Sequence, residues 1–312
     1  MRVLDIKNNF KDVNKTWRLK DSCHWFLAAP EELCSLSEKI NLSSESIQEC
    51  LDNKFSSKIS FFDNYIFLVF NVLYYNGAEV LCRELDIFLG SNFIITVFKN
   101  EITIIEELIR DISDFKNCPS LKSNPSCSIL LYYILDRLII GNYNIISSLE
   151  EQADRVEINI LKKASEKYVH ELIIMRREVY KIRKYLNPLR YIGDSLVSND
   201  NNIIDSEYLT NYTSLNNKID KLMLALDNLV QDLALVREAY EAEISNRSNE
   251  LMKIFTLIAG IFLPLNLITG IFGMNFENIP LVNHPYGYLI IILIMISIVV
   301  YLIFLFKKKK WL

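Results

Sequence analysis

Gly270-Ile271-Phe272-Gly273-Met274-Asn275-Phe276 closes an apolar stretch that begins near Ile254, and Tyr286 to Phe306 supplies a second, followed by Lys307-Lys308-Lys309-Lys310-Trp311-Leu312. Residues 254 to 276 contain no Asp, Glu, Lys or Arg. A helix needs about 20 apolar residues to cross the hydrocarbon core, so the first stretch fits a membrane span. From Asn278 to Phe306 there is again no formal charge, and the run from Tyr286 is long enough to return across the bilayer with some tilt. Two spans in a hairpin put both chain ends on one side. Arg247 and Lys253 precede the first span and Lys307 to Lys310 follow the second, which places both ends in the cytoplasm and leaves 276–285 as an external loop.

Charge divides the chain in the same way. Of 38 acidic residues only Glu277 lies beyond Lys253, and of 34 basic residues only the four terminal lysines do. The preceding region is therefore net acidic, which argues against nucleic acid as a partner and is compatible with attraction of cations, or with solubility alone. Cys23, Cys34, Cys50, Cys82, Cys118 and Cys127 fall in this region without C-x-x-C spacing and read as reduced thiols. Met1 to Lys20 is polar and charged, unlike a cleavable signal peptide.

The first 125 residues read as a mixed α/β domain. Pro30 to Ile40 and Ser43 to Leu51 have helical patterns, the second with serines suited to capping. Lys58 to Leu73, Leu85 to Leu89 and Phe93 to Phe98 are rich in β-branched and aromatic residues and read as strands, the last two joined by a tight turn at Gly90-Ser91-Asn92. A helical pattern starts near Glu101. After a Ser/Asn/Pro/Cys-rich break at Asn117 to Ser126, the chain reads as helical nearly throughout, interrupted at Ser195 to Asp205 with Pro188 a helix break just before.

Leu215, Ile219, Leu222, Leu226, Leu229, Leu233, Val236, Tyr240 and Ile244 recur at alternating spacings of about three and four, the seam of a helix packed along its length. No Pro or Gly interrupts the pattern from Ser206 to Ala259, so a stalk over 206–253 continues into the first span. At about 1.5 Å per residue, a helix from Ser206 to Phe272 is on the order of 100 Å long. On it Asn249, Met252, Phe255, Ala259, Leu263, Asn266 and Gly270 fall three or four apart and share a face that carries amides but no carboxylate. One hairpin cannot enclose a pore. Several copies with this face inward could; the alternatives are lipid or helix contact for the apolar residues and interhelical hydrogen bonding for the asparagines.

Gly273-Met274-Asn275 in this context, after Pro264-Leu265 and before a short loop, a second span and a basic tail, resembles the CorA family of magnesium transport proteins. Phe62-Asp63-Asn64-Tyr65-Ile66-Phe67 and the run from Asp86 to Val97 also resemble strands of that family's cytoplasmic domain, and Leu186-Asn187-Pro188-Leu189-Arg190 its turn between long antiparallel helices. The resemblance runs from about His24 to Leu312. It implies an α+β cytoplasmic domain in α/β/α layers (1–125), long antiparallel helices (126–205), a stalk, a pore helix (254–275) and a second span (286–306), assembled as a homopentamer in the cell membrane.

The same resemblance implies Mg²⁺ as the transported ion, with no cofactor and no enzymatic activity. Gly273, Met274, Asn275 and Glu277 become the entrance, and Met252, Phe255 and Leu263 apolar constrictions that close by dewetting. Mg²⁺ dehydrates reluctantly, so amide oxygens suit a cation that keeps its water. Glu49 falls where the family often carries an acidic residue that binds a regulatory Mg²⁺ between subunits, the alternative being a solvated helix residue. Ser214 stands at the partner position, often aspartate, and Asp205 or Asp220 could substitute. A relative that moves Zn²⁺, Co²⁺ or Ni²⁺ is the competing reading; the absence of thiolate and imidazole from the face favours Mg²⁺. A membrane-anchored scaffold that conducts nothing is the alternative of another class.

Overall fold

The computed structural model describes the chain apart from residues 15–16, 20–21, 53–55, 100–102, 115, 163–164, 275–279, 282–283 and 310–312 and the side chain of residue 38. It forms two compact units, Met1–Asn159 with Ser165–Arg237, and Ile160–Ala164 with Glu238–Leu312.

The first unit opens with strands β1 (Arg2–Asp5), β2 (Lys11–Asp12) and β3 (His24–Ala28), then helices α1 (Pro30–Ile40) and α2 (Ser44–Leu51). Strands β4 (Lys58–Phe61), β5 (Tyr65–Tyr75), β6 (Val80–Gly90) and β7 (Phe93–Phe98) follow. Next come α3 (Thr103–Ser113), α4 (Pro119–Ser123), α5 (Cys127–Lys162), α6 (Glu166–Leu186) and α7 (Leu189–Ser198), and a 3₁₀ turn at Ser206–Tyr208 leads into α8 (Leu209–Phe272). Among the described residues, seven strands form one sheet in the order β2-β1-β3-β7-β6-β5-β4. The β3–β7 pair is parallel and the others are antiparallel.

Local chemistry accounts for the elements. Ser43 accepts the Glu45 N–H at 3.2 Å and caps α2, as its position predicts. Pro30 begins α1, and the Glu32 carboxylate reaches back to the Ala29 N–H at 2.9 Å. Gly90-Ser91-Asn92 does join β6 to β7, with Leu89 opposite Ile94. The stretch Lys58–Leu73, expected as one strand, is two. Phe62 N–H bonds the Tyr65 carbonyl at 2.9 Å across Asp63-Asn64, a tight turn whose flanking Phe62 and Tyr65 rings stack 4.6 Å apart. β6 starts five residues before the expected Leu85, and β1, β2 and β3 were not expected at all.

Both faces of the sheet are covered. Leu33, Leu36 and Ile40 of α1 and Cys50 of α2 close a core with Phe26, Phe67, Phe88, Ile95 and Val97. The alternate residues Trp25, Ile66, Leu68, Phe70, Ile87 and Ile94 are equally buried on the opposite side. Each fully buried side chain of this size contributes roughly 1.5–3 kcal/mol, and β5, buried on both faces, reads as an almost continuous apolar run.

The helices run in alternating directions. Asn124 meets Tyr208, Ser128 meets Tyr212 and Asp136 meets Lys218, so α5 and α8 run the same way. Arg183 pairs with Asp227, Arg190 with Asp220 and Asp194 with Asn216, so α6 and α7 both oppose α8. The break at Pro188 is therefore a kink and not the reversal expected there: Asn187 and Pro188 keep right-handed helical angles. The reversals thus fall after α5 and at 199–205. At Gly193 an added Cβ would stand 2.1 Å from Asn216 Oδ1, which is why α7 can approach α8 so closely. The seam of α8 is buried at Leu215, Ile219, Leu222, Leu226, Leu229, Leu233 and Val236, but Tyr240 is half-buried and Ile244 is exposed.

In the second unit, the C-terminal part of α8 is joined by α9 (Gly287–Lys308). Among the described residues, three helices are long and apolar enough to cross a membrane: α5, α8 with its 3₁₀ lead-in, and α9. Half of the apolar stretch of α5 is buried, whereas none of that of α8 or α9 is. The apolar residues of α5 are thus partly enclosed by the first unit, where Asn142 accepts from the Leu73 N–H of β5 and the Ser128 carbonyl from Tyr212 of α8, whereas those of α8 and α9 have the bilayer available. Pro264 sits inside α8, where its missing N–H leaves the Gly260 carbonyl without its usual donor. A Cβ on Gly260 would lie 3.1 Å from the Phe306 ring, so the two apolar helices touch there.

Candidate functional site

At about 100° per residue, Asn249, Met252, Phe255, Ala259, Leu263, Asn266 and Gly270 fall within an arc of roughly 120°. All seven are exposed, Phe255 and Leu263 at 68% each. The half-covered positions Leu257, Gly260, Ile261, Pro264, Leu265, Ile268 and Phe272 occupy the opposite arc, the side that Phe306 of α9 touches. The structure thus separates two faces that the spacing alone could not rank: α9 takes one, and the amide-bearing face is left uncovered within the single chain.

Beyond Phe272 the backbone stays tightly wound. Gly273 N–H bonds the Thr269 carbonyl at 2.8 Å and Met274 N–H the Ile271 carbonyl at 3.3 Å, so Gly273 and Met274 ride on the end of α8. Asn275 and Glu277 lie outside the described residues, as do Lys310, Trp311 and Leu312. At the start of α9, a Cβ on Gly287 would meet the Leu281 carbonyl oxygen at 1.9 Å; only glycine lets the connection fold so close.

The candidate regulatory residues are spread over several elements of the first unit. Glu49 is on α2, half-exposed, and its carboxylate is paired with the Lys58 ammonium at the start of β4. Sequence reasoning missed Lys58; its position on an edge strand, where lysine is common, concealed the pairing. Ser214 is exposed on α8, and Asp220 on the same helix stands 3.9 Å from Arg190. Asp205 precedes the 3₁₀ turn, its N–H bonded to Ser128 Oγ at 3.1 Å. Among the described residues no three His, Cys, Asp or Glu side chains gather as a metal site. Further along, burial and then the Asp232 and Asp154 carboxylates push Glu150 above its ordinary value.

A sequence profile of the family described as CorA-like Mg²⁺ transporter protein matches residues 23–308. The chain is 26% identical over 257 residues to the cobalt/magnesium transport protein CorA of Thermotoga maritima, covering 82% of this chain and 72% of that one. It is 24% identical over 294 residues to the divalent cation transporter CmaX of Pseudomonas aeruginosa, 93% of this chain and 86% of that one. Its fold superposes on the complete structure of the CorA magnesium transporter from Methanocaldococcus jannaschii with a TM-score of 0.84 at 22% identity, over 100% of this chain and 98% of the other. Profile and relatives agree, and the chain belongs to the CorA-like Mg²⁺ transporter family: a membrane divalent-cation transporter with C-terminal transmembrane helices, not an enzyme.

Proposed function

We propose that several copies of the chain, five on the family resemblance, surround an axis with the exposed face of α8 inward and conduct Mg²⁺ into the cytoplasm down its electrochemical gradient. The observation that carries this reading is the face opposite α9, where asparagines at 249 and 266 bracket apolar residues with no carboxylate. An anchor in lipid has no use for amides on an uncovered face. A pore for a hydrated divalent cation does, because amide oxygens can hydrogen-bond bound water without stripping it. Gly273, Met274, Asn275 and Glu277 form the entrance, Met252, Phe255 and Leu263 the apolar gate. On this reading 206–253 is a stalk continuous with a pore helix to residue 275, 276–285 is external, 286–306 is the second span, and both termini with the basic tail 307–312 are cytoplasmic.

Mg²⁺ is favoured over Zn²⁺ because the inward face offers no thiolate or imidazole. The Thermotoga relative named for cobalt as well as magnesium makes Co²⁺ the ion to compare first. Glu49 is assigned to a cytoplasmic Mg²⁺ site at subunit boundaries, weakened by Ser214 and by the Lys58 ammonium that already holds Glu49. Uptake into proteoliposomes, with Mg²⁺ competed by Co²⁺, Ni²⁺ and Zn²⁺, tests the assignment. Saturable Mg²⁺ influx weakly inhibited by Zn²⁺ is expected; Zn²⁺ influx without Mg²⁺ influx, or no influx, would reject it.

A further inference from the structure

The sheet face beneath α1 and α2 is mainly apolar, with His24 at one end and a charged cluster at the other. There the strand registers bring Asp86 and Glu84 of β6, Asn71 of β5, Lys58 of β4 and Lys99, just past β7, to the side that faces Cys50 of α2. Asp86 and Cys50 are wholly buried and Glu84 nearly so. The Lys99 ammonium is bonded to the Glu84 carboxylate, donates to the Asp52 carbonyl at the end of α2 at 3.4 Å, and stands 3.9 Å from Asp86 Oδ2. Among the described residues, neither carboxylate oxygen of Asp86 accepts from an N–H or O–H donor, and the weak S–H of Cys50 is what lies within reach. A buried ion without donors is far costlier than the neutral acid.

We propose that Asp86 is a proton-operated seat for α2: the neutral acid is the form on which the helix packs, and ionisation loosens α2 from the sheet. Lys99 is engaged by Glu84 and Asp52, Lys58 by Glu49, and Cys50 offers only a weak S–H donor, its own thiol held far above the usual range by burial and by Asp86. Water is the remaining solvent for the carboxylate, and α2, of 8 residues, is the short element that covers it. Burial, the largest cause, holds Asp86 up at about 7; Glu84 also raises it, while the Cys50 thiol, Lys99 and Lys58 pull it down. The folded state therefore binds an extra proton between the ordinary value of 3.8 and about 7. The seated form is unpenalised below that window and loses stability as pH rises through it, with the full loss reached above about 7. Where α2 moves, Glu49 moves, so on the Glu49 reading above alkaline pH weakens the regulatory cation site.

Hydrogen exchange of peptides covering Ser44–Leu51, measured by mass spectrometry on the full chain in detergent without divalent cations and corrected for intrinsic rate, tests the seat. Opening of α2 in the wild type is expected to rise by roughly tenfold per pH unit from about pH 5 to about pH 7 and then level off. Asp86→Asn, which mimics the neutral acid, is expected to show a flat profile. Lys99→Met, which removes the nearest cation, moves the levelling point to higher pH and serves if Asp86→Asn does not fold. A flat wild-type profile, the same slope in Asp86→Asn, or an unmoved levelling point in Lys99→Met would overturn the proposal. Failure of the Glu49 reading would leave these profiles untouched, because no cation is present in the measurement.

Discussion

Asn275 is the residue on which the proposed entrance turns. Its amide is assigned to hydrated Mg²⁺ and not to packing, so Asn275→Ala is expected to abolish uptake while the oligomer still assembles and inserts. Uptake at the wild-type rate by a correctly inserted variant would remove Asn275 from the path. Gly193 makes a prediction of a different kind. A methyl there meets Asn216 Oδ1, and the amide must swing aside and give up its hydrogen bond to Asp194, so Gly193→Ala is expected to cost about 1 kcal/mol and lower the thermal midpoint of the full chain. At this scale the sequence was readable where one residue type has one local job, as with Ser43 at the start of α2. It was silent on Lys58 and Asp86. Lys58 and Asp86 lie 9 and 37 positions beyond Glu49 along the chain, and the sheet register, Lys58 opposite Val69 and Val69 opposite Asp86, is what sets the two in one row.

Among the elements, α8 was the most legible because its pattern is long, periodic and free of Pro and Gly up to Ala259. The sheet was less so. β1 and β2 are short and polar, and the Asp63-Asn64 turn that divides β4 from β5 was hidden between aromatic residues that resemble strand on both sides. The reversal between α5 and α6 has neither Pro nor Gly in Lys162 to Glu166, and Pro188, the residue that looked like a reversal, merely kinks a helix pair held antiparallel to α8. On α8 itself the exposed Phe255 is assigned to a dewetted constriction. Phe255→Ala is expected to leak divalent cations even at high internal Mg²⁺. With expression matched, an unchanged leak would move the gate to Met252 or Leu263.

For the whole molecule, the family and its architecture followed from the carboxyl-terminal third, whereas regulation did not, because a site proposed to lie between copies has no signature within one chain. Closure by cytoplasmic Mg²⁺ requires tighter binding to the closed than to the open state. Ser214→Asp adds a carboxylate to a hard-oxygen site and is expected to lower the internal Mg²⁺ needed for closure; Glu49→Ala is expected to raise it or remove the response. Superimposable curves of uptake against internal Mg²⁺ for all three proteins would place sensing elsewhere, with Glu150, Glu151, Asp154 and Glu157 of α5 next to be tested.

That the uncovered face of α8 lines a path shared by several copies is the central claim, and cadmium block of neighbouring cysteine variants tests it most directly. Ala259 lies on the candidate face; Ile258, one residue earlier and about 100° away, is exposed but off it. Thiolates brought together around an axis bind a soft metal, whereas thiols facing lipid do not. The account predicts that Cd²⁺ stops Mg²⁺ uptake by Ala259→Cys, reversibly on chelation, and leaves Ile258→Cys and the wild type with its six native cysteines unaffected. Block of Ile258→Cys with Ala259→Cys spared, or block of neither while both transport, would contradict it.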